Sequence, residues 1–240
     1  MITGPLYYEV VQNWRTKGMV VYPAGLQSGK RWDEWSLEHP PEGHEDKIYD
    51  VFFAHPTAVI DPGCTVGAGT FIWHFCHVMR GGEIGRGCNV GQNCFIDDGA
   101  YVGHGCKLQN NVSVYRQVRL EDEVFCGPSC VFTNVLTPRA GVKRPVEEFD
   151  ETIIRRGATI GANATIICGA EVGEYAMVGA GSVVTANQEV GEHEIVVGTP
   201  ARKIRYACRC GHPWGGDLPH LQCERCGWTY ADRNKKVAIK

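Results

Sequence analysis

Imidazole, carboxamide and indole groups recur through one stretch of this chain at a fixed interval. The strings WHF (73–75), GQN (91–93) and QNN (109–111) begin 18 residues apart, with His77 and Tyr115 just beyond the first and last. An imidazole exchanges a proton near neutral pH, and a carboxamide accepts one hydrogen bond while donating another. If the chain returns to the same place every 18 residues, Trp73 lies over Gly91 and Gln109, and His74 over Gln92 and Asn110. Phe75 then lies over Asn93 and Asn111, His77 over Phe95 and Ser113, and Met79 over Asp97 and Tyr115. An asparagine at a tight turn also satisfies its own backbone, so each one alone has a bland second reading. Three in a vertical patch flanked by His77 and Trp73 read as a ligand site.

A second chemistry sits near the end. Cys208 and Cys210, then Cys223 and Cys226, make a C-x-C and a C-x2-C pair, each followed by glycine. Two such knuckles resemble a zinc ribbon, and four thiolates suit a closed tetrahedral structural site. Metal would supply the folding energy that so short a segment lacks. His212 and His220 lie between the pairs as possible substitutes, but four cysteines suffice. Four cysteines also leave no open position for catalysis.

The element that must carry the patch is legible from its beat. Positions 60 to 132 in steps of six read I, V, I, V, I, V, I, V, L, V, L, C, F, and positions 154 to 196 read I, I, I, V, V, V, V, V. Helices repeat near 3.6 residues and strands near 2, so a hexad belongs to neither alone. It reads as a parallel β-helix in which each unit supplies a short strand and a corner. Three units per turn return the chain to the same place every 18 residues and give about seven triangular coils. Two residues before each aliphatic stands a small or β-branched residue, except at Gln188 and Glu194. Six of these are Cys64, Cys76, Cys88, Cys94, Cys106 and Cys130, which read as small buried hydrophobes. Glycine often follows the aliphatic, as at Gly67, Gly85, Gly91, Gly103, Gly161, Gly173 and Gly179. The expectation is that these glycines serve corners with backbone angles that other residues resist.

The beat divides the chain into an N-terminal extension (1–54), a β-helix domain (55–205) and a ribbon-like tail (206–240). In the extension, Trp14, Trp32, Trp35 and the tyrosines are expected to cap the open end or pack on a neighbour, and EHPPEGHEDK reads as a solvated linker. Residues 133–153 break the phase with Pro138 and Pro145 and read as a functional external loop. At 240 residues, 43% hydrophobic and 21% charged, the composition is that of an ordinary soluble protein. A net charge of −3 gives no general reason to bind nucleic acid or an acidic membrane. No apolar run reaches the roughly 20 residues that span a bilayer. Without a signal-like start, the 12 cysteines are expected reduced, in the cytoplasm.

Residues 55–205 resemble the hexapeptide-repeat acyltransferases, and that resemblance implies a left-handed winding. The motifs WHFCHV, VGQNCFI, KLQNNVSVY and VFCGPSCVFTNV resemble the nucleotide-linked 3-amino-sugar N-acetyltransferases of surface-polysaccharide and O-antigen synthesis. The resemblance implies transfer of an acetyl group from acetyl-CoA to the C3 amine of a UDP- or dTDP-linked sugar. Asn93 would accept a hydrogen bond from that amine, and His77 would act as base or positioner. Trp73, His74, Gln92, Asn110, Asn111, Tyr115 and Asn134 would face the sugar nucleotide. Acetyl-CoA would run past Gly161, Gly179 and Ala180, with Arg202 and Lys203 near its adenine or phosphates, in a groove between subunits of a homotrimer. If the sugar carries a carboxylate, Arg116, Arg139 or Arg144 would pair with it. The extension and the zinc-ribbon tail depart from the basic family pattern.

Acyl transfer to oxygen, a longer acyl donor and a non-enzymatic scaffold remain as alternatives. A zinc-dependent γ-type carbonic anhydrase shares the β-helix, and VGHGCKLQN is similar to its histidine region. Gln109 stands where that pattern wants a second histidine, and His77 and His104 do not stack at multiples of 18.

Overall fold

The computed structural model describes residues 18–26 and 51–230. Trp14, Trp32, Trp35 and the EHPPEGHEDK segment fall outside them. The chain divides into two compact units, Met1–Arg116 and Gln117–Lys240. Each is an all-β parallel β-solenoid, and the regular helices among the described residues are short 3-10 turns.

In the first unit, three parallel ladders rise side by side. One runs through Val51–Ala54, Phe71–Ile72, Asn89–Val90 and Lys107–Leu108. The next runs through Val59–Ile60, His77–Val78, Phe95–Ile96 and Ser113–Val114. The third runs through Thr65–Val66, Glu83–Ile84 and Tyr101–Val102. Phe95 pairs with both His77 and Ser113, so residues 18 apart are in register, as the repeat requires. The winding starts earlier than the hexad beat implied, because Val51–Ala54 already pairs in parallel with the following turn.

Successive strand residues point to opposite faces. The second residue of each short strand is therefore the inward aliphatic: Val66, Ile72, Val78, Val90, Ile96, Val102, Leu108 and Val114 are fully buried. Ile60, at the first beat, is only half-buried. Each buried aliphatic removes apolar surface worth about 1.5–3 kcal/mol, before chain entropy is counted. The six beat cysteines are all buried and form no disulfide, as expected of small hydrophobes. An antiparallel strand, Val20–Pro23, lies along Val51–Ala54 and closes the first rung. Met19, Val21, Val51 and Phe53 bury together there against Phe71 and Trp73.

The glycines after the aliphatics are not at the strained corners. Left-handed backbone recurs instead three residues before each aliphatic, at Gly63, Gly69, Phe75, Gly81, Gly87, Asn93, Gly99, Gly105 and Asn111. Glycine and asparagine reach that region at low cost. The glycines that follow the aliphatics are selected by stacking. A Cβ on Gly91 would stand 2.8 Å from the Asn110 nitrogen on the next turn, and one on Gly161 would stand 2.4 Å from the Ala180 nitrogen.

The second unit repeats the three ladders. Val118–Leu120 pairs with Thr152–Ile154, and the ladder continues through Glu171–Val172 to Glu189–Val190. Phe125–Cys126 leads through Thr159–Ile160 and Met177–Val178 to Glu194–Val197. Val131–Phe132 leads through Thr165–Ile166 to Val183–Val184. Because Val118 pairs with Thr152, residues 133–151 are an excursion from the winding, mostly exposed and holding one short turn at Val146–Glu148. The strand Arg202–Ala207 folds back antiparallel on Glu194–Val197 and leads into the four-cysteine segment.

Candidate functional site

The polar patch lies along one corner of the first unit. Phe75, Asn93 and Asn111 occupy the left-handed position on successive turns, at φ 57°, 58° and 64°. Their backbones are tied together, with Asn93 N–H donating to His74 O at 2.8 Å and Asn111 N–H to Gln92 O at 2.9 Å. Asn93 also donates from Nδ2 to Asn111 Oδ1 at 3.1 Å. This bond fixes which way the Asn93 amide faces and leaves its Oδ1 as an acceptor. Asn110 is spent differently: its Oδ1 takes the Gln92 backbone N–H at 2.9 Å. Gln92, Asn93, Asn110 and Asn111 are all exposed.

Just beyond the corner, His77 begins the adjoining strand, beside Phe95. Its Nε2 stands 3.2 Å from Asp61 Oδ2. With the carboxylate holding a proton on Nε2, Nδ1 is the basic nitrogen. The His77 ring meets Phe95 edge-on at 5.8 Å, and Phe95 meets Tyr115 at 5.9 Å. An imidazole and two aromatic rings thus line three successive rungs of one outer face. His74 stacks on His55 at 3.6 Å, and burial followed by the neighbouring His74 holds the His55 ring below its usual pKa. Trp73 faces the buried cluster at the end of the unit and donates from Nε1 to Asn89 at 2.7 Å.

Sequence reasoning missed two members of this region. Asp61 is 16 residues from His77, not 18, so the vertical stacking rule passes over it. Phe75 was stacked with the asparagines but given no role, although it is 60% exposed and holds a backbone conformation rare for a bulky residue.

The residues expected at acetyl-CoA are in the second unit. Gly161 N–H donates to Val178 O, and Gly179 N–H to Val196 O, both at 2.8 Å. Ala180 lies exposed at the corner beside them. Arg202 is exposed and, among the described residues, reaches only the Ala201 carbonyl, at 3.1 Å. Lys203 is engaged: its Nζ donates to Tyr206 Oη at 2.9 Å and stands 3.3 Å from Glu194, and these partners raise its pKa. Asn134 is half-buried where the external loop leaves Val131–Phe132. Of the arginines set aside for a carboxylate, Arg116 is bound to Asp98, and Arg144 to Glu148 and Thr137. Among the described residues, Arg139 reaches only the neighbouring Pro138 carbonyl.

A surface cavity of about 490 Å³ also opens on the second unit, lined by Glu121, Arg155, Glu171, Glu174, Glu189 and Glu192 among others. Arg155 bridges Glu121 and Glu171 at 2.9 and 2.7 Å. None of the residues expected at the site lines this cavity.

The four cysteines converge. The Sγ atoms of Cys208, Cys210, Cys223 and Cys226 all lie within 4.8 Å of one another. Neither intervening histidine belongs to that set.

Two family descriptions match parts of the chain. Residues 151–186 match the bacterial transferase hexapeptide (six repeats), and residues 83–116 match the hexapeptide repeat of succinyl-transferase. A dTDP-3-amino-3,6-dideoxy-alpha-D-galactopyranose 3-N-acetyltransferase from Aneurinibacillus thermoaerophilus is 40% identical over 64 residues, covering 27% of this chain and 32% of that protein. The chain thus matches about a third of that curated relative's length. Among solved structures, LpxA, a UDP-N-acetylglucosamine acyltransferase from Bacteroides fragilis 9343, is similar in fold. Its TM-score is 0.53 at 20% identity, over 64% of this chain and 60% of that one. PerB from Caulobacter crescentus, in complex with CoA and GDP-perosamine, matches at TM-score 0.41 and 20% identity, over 64% and 56% of the two chains.

Proposed function

We propose that this chain is an acetyltransferase that moves the acetyl group of acetyl-CoA to the C3 amine of a nucleotide-linked amino sugar. The observation that carries this reading is the 40% identity over 64 residues with a curated enzyme named for that reaction on a dTDP sugar. Hexapeptide-repeat sequence at 83–116 and 151–186 supports it, as does an exposed corner offering an oriented carboxamide beside a carboxylate-paired imidazole.

A thioester is already activated, so the protein's work is to present a neutral amine at the right angle. Asn93 Oδ1 accepts a hydrogen bond from the amine and turns its lone pair toward the acetyl carbon. The new C–N bond forms as the carbonyl becomes an oxyanion; collapse expels the CoA thiolate, and the amine's extra proton leaves. His77 takes that proton at Nδ1, and Asp61 holds the ring in the tautomer that can do so. Tyr115, His74, Gln92, Trp73, Asn110 and Asn134 are assigned to the sugar-nucleotide side. Gly161, Gly179 and Ala180 are assigned to main-chain contact with acetyl-CoA and Arg202 to its adenine or phosphates, with Lys203, held by Glu194 and Tyr206, in a lesser role there. A left-handed winding, a cyclic homotrimer with ligands between subunits, a cytoplasmic location and a place in O-antigen or other surface-polysaccharide synthesis complete the reading. The four thiols are assigned a structural zinc that takes no part in the transfer.

The test is thiol release from acetyl-CoA against a panel of UDP- and dTDP-linked 3-amino and 4-amino sugars. The expected result is CoA release with at least one 3-amino sugar and an acetyl mass increment on that sugar. Release with none of them removes this function. Release with hydroxyl-only sugars moves the acceptor from nitrogen to oxygen.

A further inference from the structure

We infer that Cys208, Cys210, Cys223 and Cys226 bind one thiophilic divalent metal of the zinc class, and that this metal clamps the back-folded strand Arg202–Ala207 onto the last turn of the solenoid. The sulfur geometry carries the first half. Cys208 Sγ stands 3.5 Å from Cys226 Sγ, and Cys210 Sγ stands 3.6 Å from Cys223 Sγ. A metal–sulfur bond near 2.3 Å in a regular tetrahedron spaces its sulfurs about 3.8 Å apart. Two separate disulfides would need only pairwise approach, whereas here each sulfur lies within 4.8 Å of the other three. The backbone is shaped for the same purpose. Gly211 and Gly227, one residue past each pair, take left-handed turns at φ 82° and 72°, and their N–H groups return to Cys208 O and Cys223 O, each at 2.8 Å.

The second half follows from what holds the strand. Residues 202–205 are exposed, so antiparallel pairing with Glu194–Val197 is almost all that fixes them. Such a strand opens easily unless its far end is anchored. The anchor is a corner stack in the second unit. His193 is 3% exposed and lies between the Tyr175 ring at 5.3 Å and the Trp228 ring at 5.1 Å. Its Nδ1–H donates to Ala207 O at 2.7 Å, and Ala207 N–H donates to His193 O at 2.6 Å. Arg209 donates to Tyr175 Oη at 2.8 Å and lies over both the Tyr175 and Trp228 rings, while Tyr230 bonds Glu192. Beneath this stack Cys208, Leu221, Cys223 and Trp228 form the buried cluster, with half-buried Trp214, Leu218 and Tyr230 packed against it. A cluster so small and half made of cysteine does not fold by apolar burial alone, and metal binding supplies the remainder. The metal holds Trp228 in place, Trp228 holds His193, and His193 holds the end of the strand.

The test uses the full chain. Purified protein should carry one zinc per chain, and cobalt(II) exchanged into it should give the charge-transfer and ligand-field bands of a tetrahedral thiolate site, bleached by added zinc. Chelation, or Cys226→Ser, should raise the rate of tryptic cleavage at Arg205 and Arg209 about tenfold, with cleavage inside the solenoid rungs unchanged. If the wild-type chain takes up no zinc or cobalt, the site is overturned. If metal binds but cleavage at Arg205 and Arg209 is the same with and without it, the clamp is overturned. The wild-type measurements decide both points even if the variant fails to fold.

Discussion

The Asn93 side chain donates from Nδ2 to the Oδ1 of Asn111, one turn further on, at 3.1 Å. Both residues also satisfy the left-handed corner backbone, at φ 58° and 64°. Fold and proposed chemistry therefore coincide at one amide: the corner favours an asparagine or glycine, although Phe75 also holds it one turn earlier, and the reaction needs the asparagine. Asn111→Gly keeps the corner conformation and removes the group that orients Asn93. We expect kcat to fall about tenfold and the melting temperature to stay within a few degrees. Steady-state kinetics with a thermal melt checks this, and an unchanged kcat would leave Asn111 a corner residue only.

Arg202 and Lys203 are adjacent but differently engaged. Lys203 is paired with Glu194 and Tyr206, while Arg202 meets, among the described residues, only the Ala201 carbonyl. Arg202→Ala should raise the KM for acetyl-CoA about tenfold with kcat little changed, as expected for loss of one charge-assisted contact. Lys203→Ala should change KM by less than about threefold. The reverse order would reassign the cofactor's phosphates.

A Cβ at Gly173 would stand 2.6 Å from the Glu192 nitrogen on the next turn. Backbone cannot yield as a flexible side chain can, so Gly173→Ala should destabilise the chain by about 1–3 kcal/mol. Urea unfolding measures the change. A neutral result would mean that adjacent turns have more room than their stacking indicates.

Burial holds the His193 imidazole below its usual pKa, outweighing the bond to Ala207. The unfolded chain then takes up a proton near pH 6.5 while the folded chain does not. Stability from this group is fully present above about pH 6.5 and falls as pH drops toward the lowered folded value. The drop in melting temperature between pH 7.5 and 5.5 should be smaller in His193→Asn, which tolerates the left-handed backbone. An equal drop in both proteins would remove His193 as the source.

Much of this was legible in the sequence because an inward aliphatic admits few substitutes. The hexad beat named most of the buried strand residues, missing Val51–Ala54 and the back-folded strands, and the same arithmetic put Phe75, Asn93 and Asn111 on one corner. Asp61 escaped because a contact between neighbouring turns can be offset along the strand, and its 16-residue separation from His77 falls outside the vertical rule. The glycines were visible but misread. Those after the aliphatics relieve crowding between turns, and the strained slot lies three residues before the aliphatic. The docking of the cysteine segment through His193, Tyr175, Arg209 and Trp228 was not legible, since nothing in the spacing of aromatic residues says which surface they will meet.

Asn93 is where the account is most exposed. Asn93→Gly satisfies the left-handed corner without a side chain, so it separates the amide's chemistry from its backbone role. The decisive measurement is kcat for acetyl transfer by Asn93→Gly beside wild type, on the best nucleotide-linked 3-amino sugar, with the melting temperatures compared. The account predicts a fall of about 100-fold or more at near-normal stability. A kcat within about threefold of wild type would contradict it and return the asparagine corner to a purely structural role.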